Sequence, residues 1–444
     1  MFKTFRNAFA IPELRKKIFY TLFIIAIFRI GAVMVTVPFV DPAALTAAAG
    51  NQYLSYINLF TGGGFEKGTL FALSISPYIT SSIIVQLLTV AIPSWERLSK
   101  EGEEGRKKLG QVTRIGTVLM ALIEGFSYFM YLRNTSTLSD AVLFKQGFDG
   151  YFSAVVIIMC YIAGATLMMW LGEQINKKGI GNGVSLLLFA GIVANFDSIV
   201  STLTGAWQNY GPTQPVYYFI VPLLAILLLA EIYFVVYMDA AERRLPVQYA
   251  KRVVGRKVYG GQNTNIPLKV NMANVLPVIF ANSLLSLPTM LLGFGVGVTN
   301  YDTSGNPSEF TAFGNFLKWF SYQGAAYMIL YIILIIAFAY FYISITYNPI
   351  EMANNLRKNS GTIPGIRPGK PTSDYISRVL SRIILIGAIC LSIVVLVPML
   401  SGSLTNINLA LGGTTIIIVV GVAIETARQL ESQMLMRHYK GFLE

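Results

Sequence analysis

Long apolar runs alternate with short polar segments along almost the whole chain. Ten of these runs reach the roughly 20 mostly apolar residues that an α-helix needs to cross a bilayer. They cover approximately Ile18–Val37, Thr69–Ile92, Val112–Leu132, Tyr151–Leu171, Val184–Leu203, Tyr217–Met238, Ala273–Val296, Ala325–Tyr347, Leu380–Leu400 and Leu409–Ala427. The pattern predicts an all-α polytopic membrane protein with ten transmembrane helices.

Composition supports this prediction. Of the 444 residues, 54% are hydrophobic and only 13% are charged, whereas soluble proteins carry about 25% charged residues. The charge that remains is too sparse to solvate a globular surface, which excludes a soluble domain.

The basic residues lie mainly in alternate loops. Of the 34 Lys and Arg residues, 29 fall in the two termini and in the loops after the second, fourth, sixth and eighth spans. The other loops hold Lys67, Arg133, Lys145 and Lys318, and Arg29 lies within the first span. Because cytoplasmic loops are enriched in Lys and Arg, both termini are predicted to be cytoplasmic, so the net charge of +12 lies mostly on that side.

Ten spans divide into two halves of five, and because five is odd the halves begin on opposite sides of the membrane. This is the topology of an inverted repeat, found in transporters and also suited to a channel around a central pore. The predicted organisation is a cytoplasmic segment (1–17), an N-terminal half (18–205), a C-terminal half (206–427) with cytoplasmic loops at 239–271 and 348–379, and a cytoplasmic tail (428–444).

Few residues could support enzyme chemistry. The single histidine, His438, is close to the C-terminus, and Cys160 and Cys390 lie inside apolar runs. A His/Cys metal cluster cannot be assembled from this set, and a buried nucleophile would lack a histidine base. The sequence predicts a protein that is not an enzyme and uses no cofactor or metal.

The second span is polar for a membrane helix, with an isoleucine stripe formed by Ile75, Ile79 and Ile83 between hydroxyl and amide side chains. Its polar residues fit either helix packing through small side chains or the wall of a water-accessible path that opens. The preceding segment, Tyr53–Gly64, ends in three glycines and could be a hinge or an ordinary outer loop.

Ionisable residues inside membrane spans are functional candidates. Here they are Glu124, Glu231, Glu425 and Arg29. A carboxylate such as Glu124 could relay protons in a solute transporter, or these groups could serve structural pairing or a gate.

Two long cytoplasmic loops, Glu242–Asn271 and Asn348–Tyr375, mix basic residues with Tyr, Pro and Gly, which favours defined turns. Orientation bias alone could explain their charge. Phosphate-rich RNA or an acidic protein partner would also suit them.

Six motifs carry a resemblance to a known family. They are ISPYITSSIIVQLL (Ile75–Leu88), WLGEQI (Trp170–Ile175), GIGNGVS (Gly179–Ser185), ERRLPVQYAKR (Glu242–Arg252), PLKVNMANVLPVIFA (Pro267–Ala281) and NPIEMANNLRKNSGTIPGIRPG (Asn348–Gly369). In this order they closely resemble the SecY family, the channel subunits of protein translocases.

The resemblance implies two pseudo-symmetric five-helix halves around a central pore, with a lateral gate toward lipid. It assigns the pore ring to Ile75, Ile79, Val184, Leu188, Ile279 and Ile418. Val and Leu occupy two positions where isoleucine is frequent in the family. It assigns the plug to roughly 53–64, with plug and hinge residues Tyr56, Ile57, Asn58, Leu59, Phe60, Thr61, Gly62, Gly63 and Gly64. Lateral-gate candidates are Thr80, Gln86, Glu124 and Asn282.

The same resemblance implies a protein-conducting channel of the bacterial cytoplasmic membrane. Its expected partners are SecE and SecG subunits, the SecA ATPase, the ribosome, signal sequences with their nascent chains, and membrane lipids. Docking is expected at Arg243, Arg244, Lys251, Arg252, Arg256, Lys257 and Arg367. The alternative is a secondary transporter of a small solute.

Overall fold

The computed structural model describes residues 8–42, 45, 61–134, 148–210, 212, 214–249, 252–254, 257–259, 263–293, 298–301, 307–318, 325–405, 407 and 412–440. A helix lies at each of the ten predicted spans. Seven helical stretches of the described chain are long and apolar enough to cross a membrane, or eight when two helices bent by 109° before Pro93 count as one span. The multi-pass fold is therefore confirmed, and the count of ten stays a prediction.

Fourteen helices make up most of the described chain. They are α1 (Pro12–Val33), α2 (Ser76–Ala91), α3 (Pro93–Lys100), α4 (Glu103–Asn134), α5 (Phe148–Lys178), α6 (Gly183–Ala194), α7 (Phe196–Tyr210), α8 (Tyr217–Ala240), α9 (Leu276–Gly293), α10 (Ala312–Lys318), α11 (Ala325–Thr346), α12 (Pro349–Lys358), α13 (Lys370–Thr405) and α14 (Gly413–Lys440). Proline stands in the first turn of α1, α2, α3 and α12, where its missing N–H costs no helical hydrogen bond.

The predicted start of the second span at Thr69 is wrong, because α2 begins only at Ser76. Ser74 has a φ of 51°, in the left-handed region that an α-helix cannot include, and Pro77 then occupies the first helical turn. The residues from Gly62 to Ile75 form turns instead.

Two further boundaries differ from the predicted organisation. Within the fifth span only Asn195 separates α6 from α7, and Gly183–Gln208 together are long and apolar enough to cross a membrane. Helix α7 runs through the predicted boundary at 205/206 to Tyr210. The last helix, α14, continues to Lys440, so most of the predicted tail is helical.

The main apolar core joins helices from both predicted halves. It contains buried side chains such as Phe28 of α1, Leu187 of α6, Ile335 of α11 and Ile417 of α14. Large apolar residues also cover the outside, including Leu229 and Tyr233 on α8, as expected for helices that face lipid.

The two long basic loops form strands, which the sequence patterns did not predict. Strand β1 (Glu242–Tyr249) pairs antiparallel with both β4 (Asn263–Lys269) and β7 (Gly361–Thr362). The other strand pairs are β2 (Arg252–Val254) with β3 (Lys257–Tyr259), and β5 (Val298–Tyr301) with β6 (Pro307–Phe310). Leu245 and Val247 of β1 are buried in alternate positions, which fixes one face of the sheet against the protein.

Helices α5 and α6 approach closely because glycine lies at their contact. A Cβ atom at Gly183 would overlap the carbonyl oxygen of Gly172. We expect Gly183→Ala to lower the free energy of unfolding by about 1–3 kcal/mol through overpacking, measured as a lower apparent melting temperature of the purified protein in detergent. Gly110→Ala in α4 is the control, since its Cβ would meet open space. Equal melting temperatures for the two variants would contradict this contact.

Candidate functional site

The six predicted ring residues all belong to the main apolar core. Ile75, Leu188 and Ile418 are buried in it, and Ile79, Val184 and Ile279 are half-buried and packed against it. They come from α2 or its preceding residue, from α6, from α9 and from α14. Residues separated by more than 300 positions in the chain thus meet in one apolar cluster.

Local hydrogen bonds fix the start of α6, where the predicted ring residue Val184 lies. The side-chain oxygen of Asn182 accepts a hydrogen bond from the Val184 amide at 3.2 Å and caps the helix. The Gly183 amide donates to Asn176 Oδ1 of α5 at 2.7 Å. Val184 is therefore held in the first turn of a capped helix.

Ile75, the residue that precedes α2, lies close to Val184 of α6. A Cβ atom built at Gly172 of α5 would lie 3.6 Å from Ile75 Cδ1 and 3.6 Å from Val184 Cγ2. The side chains of these two predicted ring residues therefore both lie beside Gly172.

Helices α2 and α4 form one packed pair next to these residues. The Ser81 hydroxyl donates to the Thr113 carbonyl at 2.8 Å, and a Cβ at Gly116 would contact Ser81 Oγ. Glu124 of α4 is buried, and its carboxyl group lies beside the Ser76 side chain. Ser76 is thus a further polar residue of this pair.

The other gate candidates differ in burial. Thr80 and Asn282 are half-buried, whereas Gln86 is exposed. Glu231 of α8 is buried, and its Oε1 has no hydrogen-bond partner among the described residues. Glu425 lines a cavity of about 440 Å³ together with Asp239 and Arg428. The intramembrane carboxylates thus lie on three separate helices.

A charged pair that sequence reasoning missed joins α4 to α5. The guanidinium of Arg114 donates to both oxygens of Glu173, at 2.6 and 2.7 Å. Lys177 lies 3.7 Å from the same carboxylate. Arg114 and Glu173 are 59 positions apart, so no local sequence pattern could identify them as partners.

The glycine-rich segment is described from Thr61 onward, so the plug residues Tyr56, Ile57, Asn58, Leu59 and Phe60 lie outside the described residues. Gly62 and Gly63 have φ values of 67° and 88°, which favour glycine. Thr61 is buried, and its hydroxyl oxygen accepts a hydrogen bond from the Phe65 amide at 3.1 Å. Gly62 and Gly63 of the predicted hinge therefore lie in a hydrogen-bonded turn.

Two of the docking candidates lie on the three-stranded sheet. Arg243 and Arg244 are exposed on β1, where Arg244 forms a 2.7 Å ion pair with Glu242. Arg252 and Lys257 lie in strands β2 and β3. Lys251 and Arg256 lie outside the described residues.

Arg367 follows β7 on the second loop, with an exposed side chain. Its carbonyl accepts a hydrogen bond from the Thr372 hydroxyl at 2.8 Å, at the start of α13. Because β7 pairs with Gln248 and Tyr249 of β1, the sheet ties the two basic loops into one platform. We use "basic platform" for β1, β4, β7 and the loop through Arg367.

Comparison with known proteins identifies the family. The sequence profile of the SecY family matches residues 69–427. The protein translocase subunit SecY of Streptomyces coelicolor is 41% identical over 460 residues, which cover 100% of both chains. The chain belongs to the SecY family.

Two solved structures of this kind share the fold. A SecY structure whose plug domain is described as stabilising the closed state of the translocation channel has a TM-score of 0.63 at 19% identity, over 95% of this chain and 92% of its own. Sec61 from a canine ribosome–channel complex has a TM-score of 0.59 at 18% identity, with the same coverage. Neither comparison favours the solute-transporter alternative.

Proposed function

We propose that this SecY-family chain is the protein-conducting channel of a bacterial translocase. It passes unfolded secretory polypeptides across the cytoplasmic membrane and releases transmembrane segments sideways into lipid. The observation that carries this proposal is the apolar cluster in which ring residues of both halves meet, from Ile75 and Val184 to Ile279 and Ile418.

An apolar constriction suits this substrate. A narrow apolar neck opposes ion flow because water leaves it readily. It makes no specific hydrogen bonds, so many different polypeptide sequences can slide through it. A filter of polar groups would select one solute and bind it, which a conduit for unfolded chains must avoid.

Lateral release requires two sets of helices that can separate. The pair α2–α4 packs as a unit through Ser81 and Gly116, which supports its movement as one wall of the gate. The opposite wall would be α9 and α11. An apolar signal sequence can partition between them into lipid, and polar residues such as Thr80 and Asn282 lower the cost of opening that seam.

The basic platform is the proposed docking surface for the driving machinery. SecA or the ribosome would bind Arg243, Arg244 and Arg367, together with the basic residues around β2 and β3. The ribosome-bound Sec61 relative supports a ribosome partner. SecE and SecG are the proposed companion subunits. The proposed orientation places both termini and this platform in the cytoplasm, following the basic loops.

Crosslinking tests the conduit directly. In a variant without Cys160 and Cys390, a cysteine at Ile79 or Ile279 should crosslink to a stalled signal-bearing chain that carries a thiol-reactive probe. A cysteine at Met159, which is exposed on the outer side of α5, is the matched control and should not crosslink. Equal crosslinking at all three positions would contradict the proposed path.

A further inference from the structure

A buried hydrogen bond joins helices α11 and α14 inside the main apolar core. The Tyr331 hydroxyl of α11 lies 3.0 Å from Thr414 Oγ1 of α14, and either oxygen can be the donor. Only 2% of Tyr331 and 3% of Thr414 is exposed. A hydrogen bond in such apolar surroundings is directional, so it fixes the height and the rotation of one helix relative to the other.

The first turn of α14 is also fixed by α13. A Cβ atom at Gly413 would overlap the Val394 carbonyl oxygen of α13, so the two helices are in contact at their backbones. Thr414 follows directly in the chain and bonds to α11. Two different helices therefore hold the start of α14 at consecutive residues.

The predicted ring residue Ile418 lies one helical turn after Thr414, on the same face of α14. Ile418 is buried in the main apolar core together with Tyr331. Helix α11 is one of the two helices proposed as the gate wall opposite α2 and α4. The hydrogen bond thus connects a helix of this wall with the helix that carries Ile418.

We propose that Tyr331 is a positioning residue that holds Ile418 through Thr414 and so couples the gate wall to the pore ring. This inference rests on the proposed channel function and deepens it. While the bond exists, α11 and the first turn of α14 move together. Without it, apolar contacts alone hold the two helices, and these contacts permit sliding and rotation because they have no preferred direction.

The test removes one hydroxyl at a time from the channel purified together with its companion subunits. Tyr331→Phe and Thr414→Val keep nearly the same side-chain shape. Loss of a hydrogen bond between membrane helices should raise resting ion conductance in planar bilayers about fivefold. In a variant without Cys160 and Cys390, a cysteine at Ile418 should also react faster with a water-soluble thiol reagent when Tyr331→Phe is present.

The double variant Tyr331→Phe with Thr414→Val separates positioning from a purely structural role. In each single variant one buried hydroxyl loses this partner, which should lower the melting temperature, whereas removing both hydroxyls should restore much of it. The link between α11 and α14 is absent in all three variants, so we expect about the same raised conductance in all three. A purely structural role predicts that conductance follows the melting temperature and returns to the wild-type value in the double variant.

Two control variants remove similar hydroxyls elsewhere. Thr415→Val removes a fully buried hydroxyl from the same turn of α14, and Thr415 Oγ1 has no hydrogen-bond partner among the described residues. Tyr340→Phe removes a hydroxyl of α11 that donates to the Ser381 carbonyl of α13 at 3.0 Å. We expect wild-type conductance in both controls.

Wild-type conductance in Tyr331→Phe, or an unchanged reaction rate of the cysteine at Ile418, would overturn the coupling. Recovery of wild-type conductance in the double variant, or an equal leak in the controls, would also overturn it. Failure of all three variants to accumulate would assign the bond to folding and exclude the positioning role. Each of these results leaves the channel proposal intact, and that proposal fails separately if the wild-type complex exports no signal-bearing chain.

Discussion

Replacing both Ile79 and Ile279 with glycine should make the resting channel leak ions. The two residues belong to opposite halves of the chain and both pack against the main apolar core. Truncating a packed isoleucine removes about 2 kcal/mol or more of apolar contact, so the double variant should raise resting conductance more than about tenfold. The measurement is single-channel or bulk conductance in planar bilayers without a translocating chain.

The matched control is the pair Ile84→Gly and Leu284→Gly. These residues lie on the same two helices, α2 and α9, but their side chains are exposed on the protein surface. Glycine lowers helix stability equally at both sites, so the control separates loss of the ring from weakening of the helices. Unchanged conductance in the ring variant, or equal leak in the control, would refute the ring assignment.

The sequence predicted the membrane fold well because hydropathy acts locally. A run such as Tyr217–Met238 is almost continuously apolar, and α8 covers it with a difference of two residues at one end. The start of α2 could not be predicted the same way. Thr69 to Ile75 is apolar enough for a span, but Ser74 adopts a left-handed φ and Thr69 bonds to α1 instead.

Local sequence patterns could not predict contacts between residues that are far apart in the chain. The pairing of β1 with β7 joins Tyr249 to Gly361, and the ion pair of Arg114 with Glu173 joins two helices. Each partner alone looks like an ordinary loop or helix residue. The pore-ring assignment comes from family motifs rather than local patterns and stays a prediction, and all six residues lie in the main apolar core.

The sheet gives the two basic loops a fixed shape, which their charge alone does not predict. Their charge alone fits simple orientation bias, which needs no fixed shape. The buried residues Leu245, Val247 and Ile363 anchor the basic platform to the helices, so Arg243 and Arg367 are presented from a folded surface. A docking partner that requires fixed positions for its contacts can use such a surface.

Arg367→Glu should therefore block export while the channel still inserts and folds. The Arg367 side chain is exposed, and its bond to Thr372 uses the backbone carbonyl, which the substitution keeps. Reversing a charge at the centre of a docking surface costs about 2 kcal/mol or more of binding, so SecA-driven export should fall by more than about tenfold. The assay is translocation of a signal-bearing precursor into vesicles that contain equal amounts of each variant.

Lys358→Glu provides the matched charge reversal. It lies at the end of α12 on the same loop, is also exposed, and changes the net charge by the same amount. A general effect of loop charge would lower export equally in both variants and would weaken with added salt. A specific contact at Arg367 predicts a much larger loss in Arg367→Glu alone. Normal SecA-driven export by Arg367→Glu would exclude Arg367 from the docking surface, because a charged binding contact does not tolerate the opposite charge.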